Sequence, residues 1–231
     1  MHLQKFFAYC KVFLGLEDST RENKNASSKP LIFNFSPNDE KNEYFSLQIA
    51  RTLQQLHRLN SSDTQRKCQR LKILHSYLDF ASIKKALVVG CRDATELDLL
   101  EEVGVKNVYG IDLVSVDKRI YPCDMHNITA INNKSVDFIF SSHSLEHSIK
   151  PYDVLKEFKR IIIPSGKIFI EVPIHFTPRG SDLHDFHSAN EIEKMLIDIW
   201  DGGRCLLKQE MTPEEANMGT SIARVLFETP K

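Results

Sequence analysis

Three acidic or glycine-containing turns follow apolar segments at positions suited to holding a nucleoside. The run KALVVG ends at Gly90, which lets the chain turn tightly and lets a ligand approach the backbone. Asp112 ends the next run, NVYGID, and Asp124 follows in YPCDMHN with Met125 beside it. One carboxylate can accept hydrogen bonds from the ribose hydroxyls and another from an adenine amino group. These positions predict a site for an adenosine-containing cofactor.

The loop after Gly90 separates two cofactor classes. Of the G-x-G-x-x-G pattern of dinucleotide sites only the first glycine is present, with Arg92 and Thr95 in the other two positions. A pyrophosphate needs bare backbone at the helix N-terminus, so the loop argues against a dinucleotide. S-adenosylmethionine carries no phosphate and is compatible with the loop. Arg92 could meet the charges of its methionine end, or form an ordinary surface ion pair.

Histidines are concentrated in two later loops. His143 and His147 flank the end of the apolar run DFIFSS, and His175, His184 and His187 lie around IHFTPRGSDLHDFHS. An imidazole can take the proton of a hydroxyl at neutral pH. A loop histidine is often only a solvated polar residue, but five on two loops facing one crevice favour chemistry. We expect His143 to be the base, with His184 as the second candidate.

Alternating strands and helices must position these residues. From Lys85 onward, short apolar runs alternate with helical patterns, which predicts βαβ units and a mostly parallel, doubly wound, Rossmann-like α/β sheet. Two final strand candidates, RCLLKQE and SIARVLFE, lack a long helix between them and predict an antiparallel hairpin. Pro151 should begin a helix that ends at the turn Pro164-Ser165-Gly166. In such sheets ligands bind outside the carboxyl ends of the strands.

The segment 1–84 is predicted to be an N-terminal helical cap and linker, and 85–231 the cofactor-binding domain. Apolar residues from Leu3 to Leu14 recur at helical spacing. They favour a lid or packing helix, with a membrane-surface or partner-binding helix as the alternative, and are too few to span a bilayer. Residues 17–30 indicate a flexible linker, and two packing helices are expected around Phe45–Leu56 and Cys68–Leu78.

The charge balance and the cysteine content limit the classes of partner and cofactor that the sequence predicts. Thirty Lys and Arg against 31 Asp and Glu give a net charge of -1, so no global field attracts a nucleic acid. Five widely spaced cysteines without a C-x-x-C pair indicate neither a disulfide framework nor a zinc site, and a reducing cytoplasm is the simplest setting. The oligomeric state is left open.

The chain resembles the class I S-adenosylmethionine-dependent methyltransferases of the methyltransferase-11 type, in the blocks ALVVGCRDATELDLL, VYGIDL, CDMHNI, VDFIFSSHSLEH and VLKEFKRIIIPSGKIFIEVP. The resemblance implies that Gly90 faces the methionine part of the cofactor, Asp112 the ribose, and Asp124 and Met125 the adenine. Ser142 and His143 would lie near the sulfonium. Arg92 and Ala94 stand where the family usually has glycine. The expected cofactor-binding residues are Gly90, Cys91, Arg92, Asp112, Leu113, Asp124, Met125 and Ser142.

A divalent metal is a second possibility at the histidines. His143, Glu146 and His147, with His184, resemble the E-x-x-E-H arrangement of the magnesium-supported O-methyltransferases of ubiquinone synthesis and small-RNA 2'-O-methylation. A histidine in place of the first glutamate suits a softer metal or none. The metal is left open, with Glu146 and His147 as candidate ligands.

Motifs that are absent from the sequence narrow the class of methyl acceptor. SSHS stands where nitrogen methyltransferases carry an N-P-P-Y-like motif, and no Pro-Cys nucleophile for cytosine chemistry appears there. We therefore expect O-methylation of a small molecule, sugar or glycan precursor. The alternative is a catalytically inactive protein that binds the cofactor or a partner. Titratable groups gathered at the crevice favour the enzyme.

Overall fold

A seven-stranded mixed sheet forms the centre of the computed structural model, which describes residues 30–36, 39–56 and 61–231. The strands are β1 (Leu31–Ile32), β2 (Lys85–Val89), β3 (Asn107–Asp112), β4 (Val114–Ser115), β5 (Ile120–Pro122), β6 (Val136–Ser142), β7 (Ile162–Ile174), β8 (Arg204–Met211) and β9 (Ser221–Glu228). Seven of these strands form the large sheet in the order β5-β3-β2-β6-β7-β9-β8, and β1 and β4 form a separate two-stranded sheet. The first five are parallel, and β9 runs antiparallel to both β7 and β8.

Helices cover both faces of this sheet. They are α1 (Asn42–Gln55), α2 (Ser61–Leu74), α3 (Thr95–Glu102), α4 (Pro151–Ile161), α5 (Ala189–Trp200) and α6 (Pro213–Ala216), with 3-10 turns at Phe80–Ser82 and Leu145–His147. None of the helices in the described part of the chain combines the length and apolar character needed to cross a bilayer.

Alternation along β2 explains the two-sided core. Leu87 and Val89 pack with α4 and α5 on one face, while Ala86 and Val88 pack with α2 and α3 on the other. Successive side chains of a strand point to opposite faces, so a strand covered on both sides must be apolar throughout. The predicted doubly wound α/β fold with an antiparallel C-terminal hairpin is confirmed.

One boundary differs from the prediction. Helix α4 ends at Ile161, three residues before Pro164, and the chain enters β7 directly. Pairing with β6 is irregular between Val136 and Phe138, because Pro164 has no N–H to donate and Ser165 has φ +57°. The expected turn is therefore a bulge at the start of a strand.

The N-terminal region packs onto the domain. The buried side chains of α2 join the core under β2 and β6. Helix α1 packs through Phe45 and Ile49 against Val114, beside a two-stranded sheet of β1 and β4 that the sequence does not predict. The predicted helix between Leu3 and Leu14 lies outside the described residues, as does nearly all of the predicted linker. The division of the chain near Lys85 remains a prediction.

Candidate active site

A cavity of about 710 Å³ lies at the carboxyl ends of the parallel strands. It is lined by segments that follow β2, β3, β5, β6 and β7, and by α1 and α2. Eleven residues expected from the sequence line it: Gly90, Cys91, Arg92, Asp112, Leu113, Asp124, Met125, Ser142, His143, Glu146 and His147.

Gly90 packs closely against Ser144 of the loop after β6. Its φ is +68°, a conformation that favours glycine, and a Cβ there would lie 2.2 Å from Ser144 Oγ. Ser144 Oγ donates a hydrogen bond to Val89 O at 2.8 Å and so joins the loop after β6 to the end of β2. The glycine therefore brings the loops after β2 and β6 together at the cavity.

Asp112 is held rigidly at the end of β3. One carboxylate oxygen accepts from Arg92 N at 2.8 Å and the other from Val114 N at 3.2 Å. Burial raises the pKa of Asp112, and these backbone donors oppose the rise. A carboxylate has about four acceptor positions, so both oxygens retain capacity for a further donor in the cavity.

Asp124 is connected to α1 by an ion pair. Its Oδ1 accepts from His126 N and Nδ1, and Lys41 Nζ lies 3.1 Å from Oδ2. Burial acts to raise the pKa of Asp124, but His126 and Lys41 bring it below its ordinary value. Tyr44, one helical turn into α1, lines the same end, where burial and the carboxylates of Asp124 and Asp112 raise the pKa of its hydroxyl.

His143 lies between two buried carboxylates. Its Nδ1 is 3.6 Å from Glu146 Oε1, and its Nε2 is 3.3 Å from Glu171 Oε1. Burial acts to lower the pKa of His143, but the two carboxylates outweigh it and raise this pKa to about 9. With this pKa the imidazole is protonated at neutral pH and forms ion pairs with the two carboxylates. This does not support the predicted role of His143 as a proton acceptor.

Glu171 lies at the centre of a buried charge network below His143. It accepts from Arg70 Nε of α2 and from Arg224 Nε of β9, and Ser142 Oγ donates to it at 3.1 Å. These cations hold the pKa of Glu171 well below its usual range against the effect of burial. Glu171 is thus already compensated by the two arginines, so His143 balances mainly the charge of Glu146.

His147 lies beside a cation from α1. Its Nδ1 lies 2.9 Å from Ser181 O, and Arg51 Nη1 lies against the ring, 2.6 Å from Nε2 and 2.9 Å from Nδ1. Arg51 Nη1 also donates to Asp182 Oδ1 at 3.0 Å. A guanidinium cation thus lies against the imidazole that a metal would need as a ligand. Within residues 30–36, 39–56 and 61–231, no group of three or more His, Cys, Asp or Glu side chains is arranged to hold a metal ion.

The other three histidines do not line the cavity. The ring of His184 packs against Phe186 at a centroid distance of 6.0 Å. His175 and His187 are exposed, and His187 pairs with Asp185. Both loops line the cavity as expected, but of the five histidines only His143 and His147 do so.

Several lining residues were not identified in the sequence. Helix α1 supplies a polar stripe at helical spacing, Tyr44, Gln48, Arg51, Thr52 and Gln55, beside its buried apolar face. That stripe gave no signal, because the polar face of an amphipathic packing helix usually faces solvent. Glu171 did leave a signal, since a charged residue within the apolar run KIFIEVP needs a buried partner.

The geometry and the comparisons agree on the fold. Residues 87–170 match the methyltransferase-11 family, described as a methyltransferase domain. The chain has the class I methyltransferase fold. This confirms the resemblance carried by the five sequence blocks, and S-adenosylmethionine is the cofactor of this class. No curated protein sequence matches the chain.

Solved structures show how widely this methyltransferase fold is shared. The chain is similar to the 1,6-didemethyltoxoflavin-N1-methyltransferase of Burkholderia thailandensis, solved with 1,6-didemethyltoxoflavin and S-adenosylhomocysteine, with a TM-score of 0.64 and 16% identity over 89% of this chain and 98% of that chain. It is also similar to an S-adenosylmethionine-dependent methyltransferase from Aquifex aeolicus, with a TM-score of 0.50 and 20% identity over 68% and 87% of the chains. The [4+2]-cyclase SpnF matches with a TM-score of 0.56 and 13% identity over 71% and 81%.

Proposed function

We propose that the protein transfers the methyl group of S-adenosylmethionine to a hydroxyl of a small molecule, sugar or glycan precursor. The observation that carries the proposal is the position of Asp112. Its buried carboxylate ends β3, lines the cavity and retains acceptor capacity beside the loop that begins at Gly90. This is where a ribose with two hydroxyl donors would be held.

The other lining residues fit the remaining parts of the cofactor. Asp124 Oδ2 can accept from an adenine amino group in competition with Lys41, and Met125 and Leu113 offer apolar contact to the ring. Cys91, Arg92 and Ser142 also line the cavity. When bound, the cofactor supplies an electrophilic methyl group, and much of the protein's contribution is to hold the acceptor in line.

We assign the proton acceptor to Glu146 rather than to His143 or His184. Glu146 lines the cavity, and its Oε2 has no hydrogen-bond partner among the described residues. The protonated His143 beside it can donate a hydrogen bond to the acceptor or orient the carboxylate. When the oxygen–methyl bond forms, the hydroxyl proton would move to Glu146.

Calorimetry with S-adenosylmethionine, S-adenosylhomocysteine and NAD tests the proposal. We expect micromolar binding of the first two and negligible binding of NAD, because the loop after Gly90 lacks the glycines that a pyrophosphate needs. Incubation with methyl-labelled cofactor and a size-fractionated extract should then label a small-molecule fraction. Absence of cofactor binding in the folded protein would refute the proposal.

A second candidate function is cofactor binding without methyl transfer, because a [4+2]-cyclase, SpnF, has a similar fold. Binding of both cofactor forms with no label in any fraction would favour it. The Glu146 Oε2 in the cavity favours the enzyme, because a buried carboxylate oxygen without a protein partner can accept a hydrogen bond or a proton from a ligand.

A further inference from the structure

The half of the cavity on the side of β6 and β7 is rich in arginine. The half that follows β2, β3 and β5 carries the carboxylates Asp112 and Asp124 together with Arg92. The half that follows β6 and β7 is completed by residues 218–220, because Ser221 at the start of β9 pairs with Ile174 at the end of β7. There the lining includes the guanidinium groups of Arg51, Arg66 and Arg179 and the carboxylates of Glu146 and Asp182.

A tight turn from Arg179 to Asp182 organises this second half. Asp182 N donates to Arg179 O at 3.1 Å, and Gly180 adopts φ +60° within the turn. Ser181 O accepts from Gln48 Nε2 at 2.9 Å, which joins the turn to α1. The turn that presents Arg179 is therefore fastened to α1.

The same turn fixes Arg51. Asp182 Oδ1 accepts from Arg51 Nη1 at 3.0 Å, and the side chain of Arg51 is 30% exposed. Its contacts with described residues use Nη1, so Nε and Nη2 keep their donors. An arginine held through one nitrogen presents a preorganised fork to a planar oxyanion.

Arg179 has no such internal partner. Its side chain makes no hydrogen bond or ion pair with any residue in the described ranges, although it lines the cavity. The neighbouring lining residues Thr177 and Thr220 carry hydroxyls, and Phe176 and Met218 supply apolar surface. The lining thus combines two charged donors with a surface for the body of a small molecule.

We propose that this half of the cavity binds an anionic oxygen group of the methyl acceptor, a carboxylate or a phosphate, through Arg51 and Arg179. This proposal rests on the proposed function, because it assigns a substrate class to the site at which methyl transfer is proposed. The acceptor is then a hydroxyl compound that carries a separate oxyanion, and neutral sugars and simple alcohols are excluded as good substrates.

Binding of inorganic phosphate and of benzoate to the full chain, saturated with S-adenosylhomocysteine, tests the proposal by calorimetry. At constant ionic strength we expect at least one of the two anions to bind, and Arg179→Gln to weaken that binding about tenfold or more, as expected for loss of a charge-assisted contact. Arg51→Lys, which keeps the charge but removes the fork, should weaken benzoate more than phosphate.

Arg204→Gln is the matched control, because Arg204 is an exposed arginine on β8 outside the cavity lining. It should leave anion binding unchanged. Failure of both anions to bind more tightly than chloride, or equal affinity in the Arg179→Gln variant, overturns the proposal. The S-adenosylhomocysteine titration is a separate measurement, so a failed proposed function is recognised independently.

Discussion

Glu171 on β7 and Arg224 on β9 occupy directly opposed positions of an antiparallel strand pair, and Arg224 Nε donates to the Glu171 carboxylate in the protein interior. Arg70 reaches the same carboxylate from α2. Three chain segments far apart in sequence thus meet at one buried acid directly below His143.

Removal of this acid should be costly. We expect Glu171→Gln to lower the free energy of unfolding by about 3 to 5 kcal/mol, because Arg70 and Arg224 would remain buried without their counter-charge. Urea unfolding measures the change. Glu228→Gln on the paired strand is the control, since Glu228 forms a more exposed pair with Lys167 and should cost about 1 kcal/mol or less. Similar losses in the two variants would show that the network is not a special stabilising element.

Asp112 should contribute to cofactor affinity. Asp112→Ala removes an acceptor of charge-assisted hydrogen bonds, so we expect binding of S-adenosylhomocysteine to weaken by about 1.5 to 3 kcal/mol. Calorimetry gives the value, and Asp198→Ala on the exposed face of α5 serves as the control. An unchanged affinity in a folded Asp112 variant would remove this residue from the site.

Stability should fall as the solution becomes alkaline. His143 has a folded-state pKa of about 9, above its ordinary value of 6.5, so its contribution is complete below pH 6.5 and is lost as the pH rises through 9. Between these limits we expect a loss on the order of 2 kcal/mol, absent in His143→Gln. Unfolding at several pH values gives the difference in the free energy of unfolding between the two proteins. Cysteine thiols that titrate in the same pH range contribute equally to both proteins and cancel in this difference. Parallel curves for the two would mean that His143 is not protonated in the fold.

Glu146 should matter for methyl transfer and hardly at all for cofactor binding. Glu146→Gln removes the proposed proton acceptor, so we expect turnover on a labelled fraction to drop about 10²-fold or more. S-adenosylhomocysteine affinity and the melting temperature report whether the site is otherwise intact, and Glu193→Gln, on α5 and away from the cavity, is the matched variant. Full turnover in Glu146→Gln would leave catalysis to proximity and orientation alone.

Divalent metals should have little effect. The guanidinium of Arg51 lies against the His147 ring, with Nη1 2.6 Å from Nε2 and 2.9 Å from Nδ1, so a metal cation at this imidazole would be repelled. We expect magnesium, manganese and zinc to leave the melting temperature unchanged, because a metal that binds only the folded state must stabilise it. A rise with one ion that chelation reverses would instead restore Glu146 and His147 as ligands.

The sequence predicts the sheet and the part of the cavity around Asp112 and Asp124 better than the part that follows β7. The runs that become β2, β3, β6 and β7 are apolar and bounded by turns, and Asp112 and Asp124 lie where parallel strands end, so position follows from topology. His184 could not be placed in this way, because a loop that packs on Phe186 follows contacts rather than periodicity. Glu171 and Arg224 meet through a strand register that their separate segments do not reveal.

The contact between Gly90 and Ser144 also limits which substitutions can be accepted at these two positions during evolution. A side chain at position 90 would collide with Ser144 Oγ, and the left-handed backbone there would oppose it even without the collision. Loss of the serine hydroxyl alone would release the loop after β6 from Val89. Substitution of the glycine is therefore blocked by Ser144, while the serine is retained by its bond to Val89, and a lineage that abandons this glycine must first rebuild the neighbouring loop.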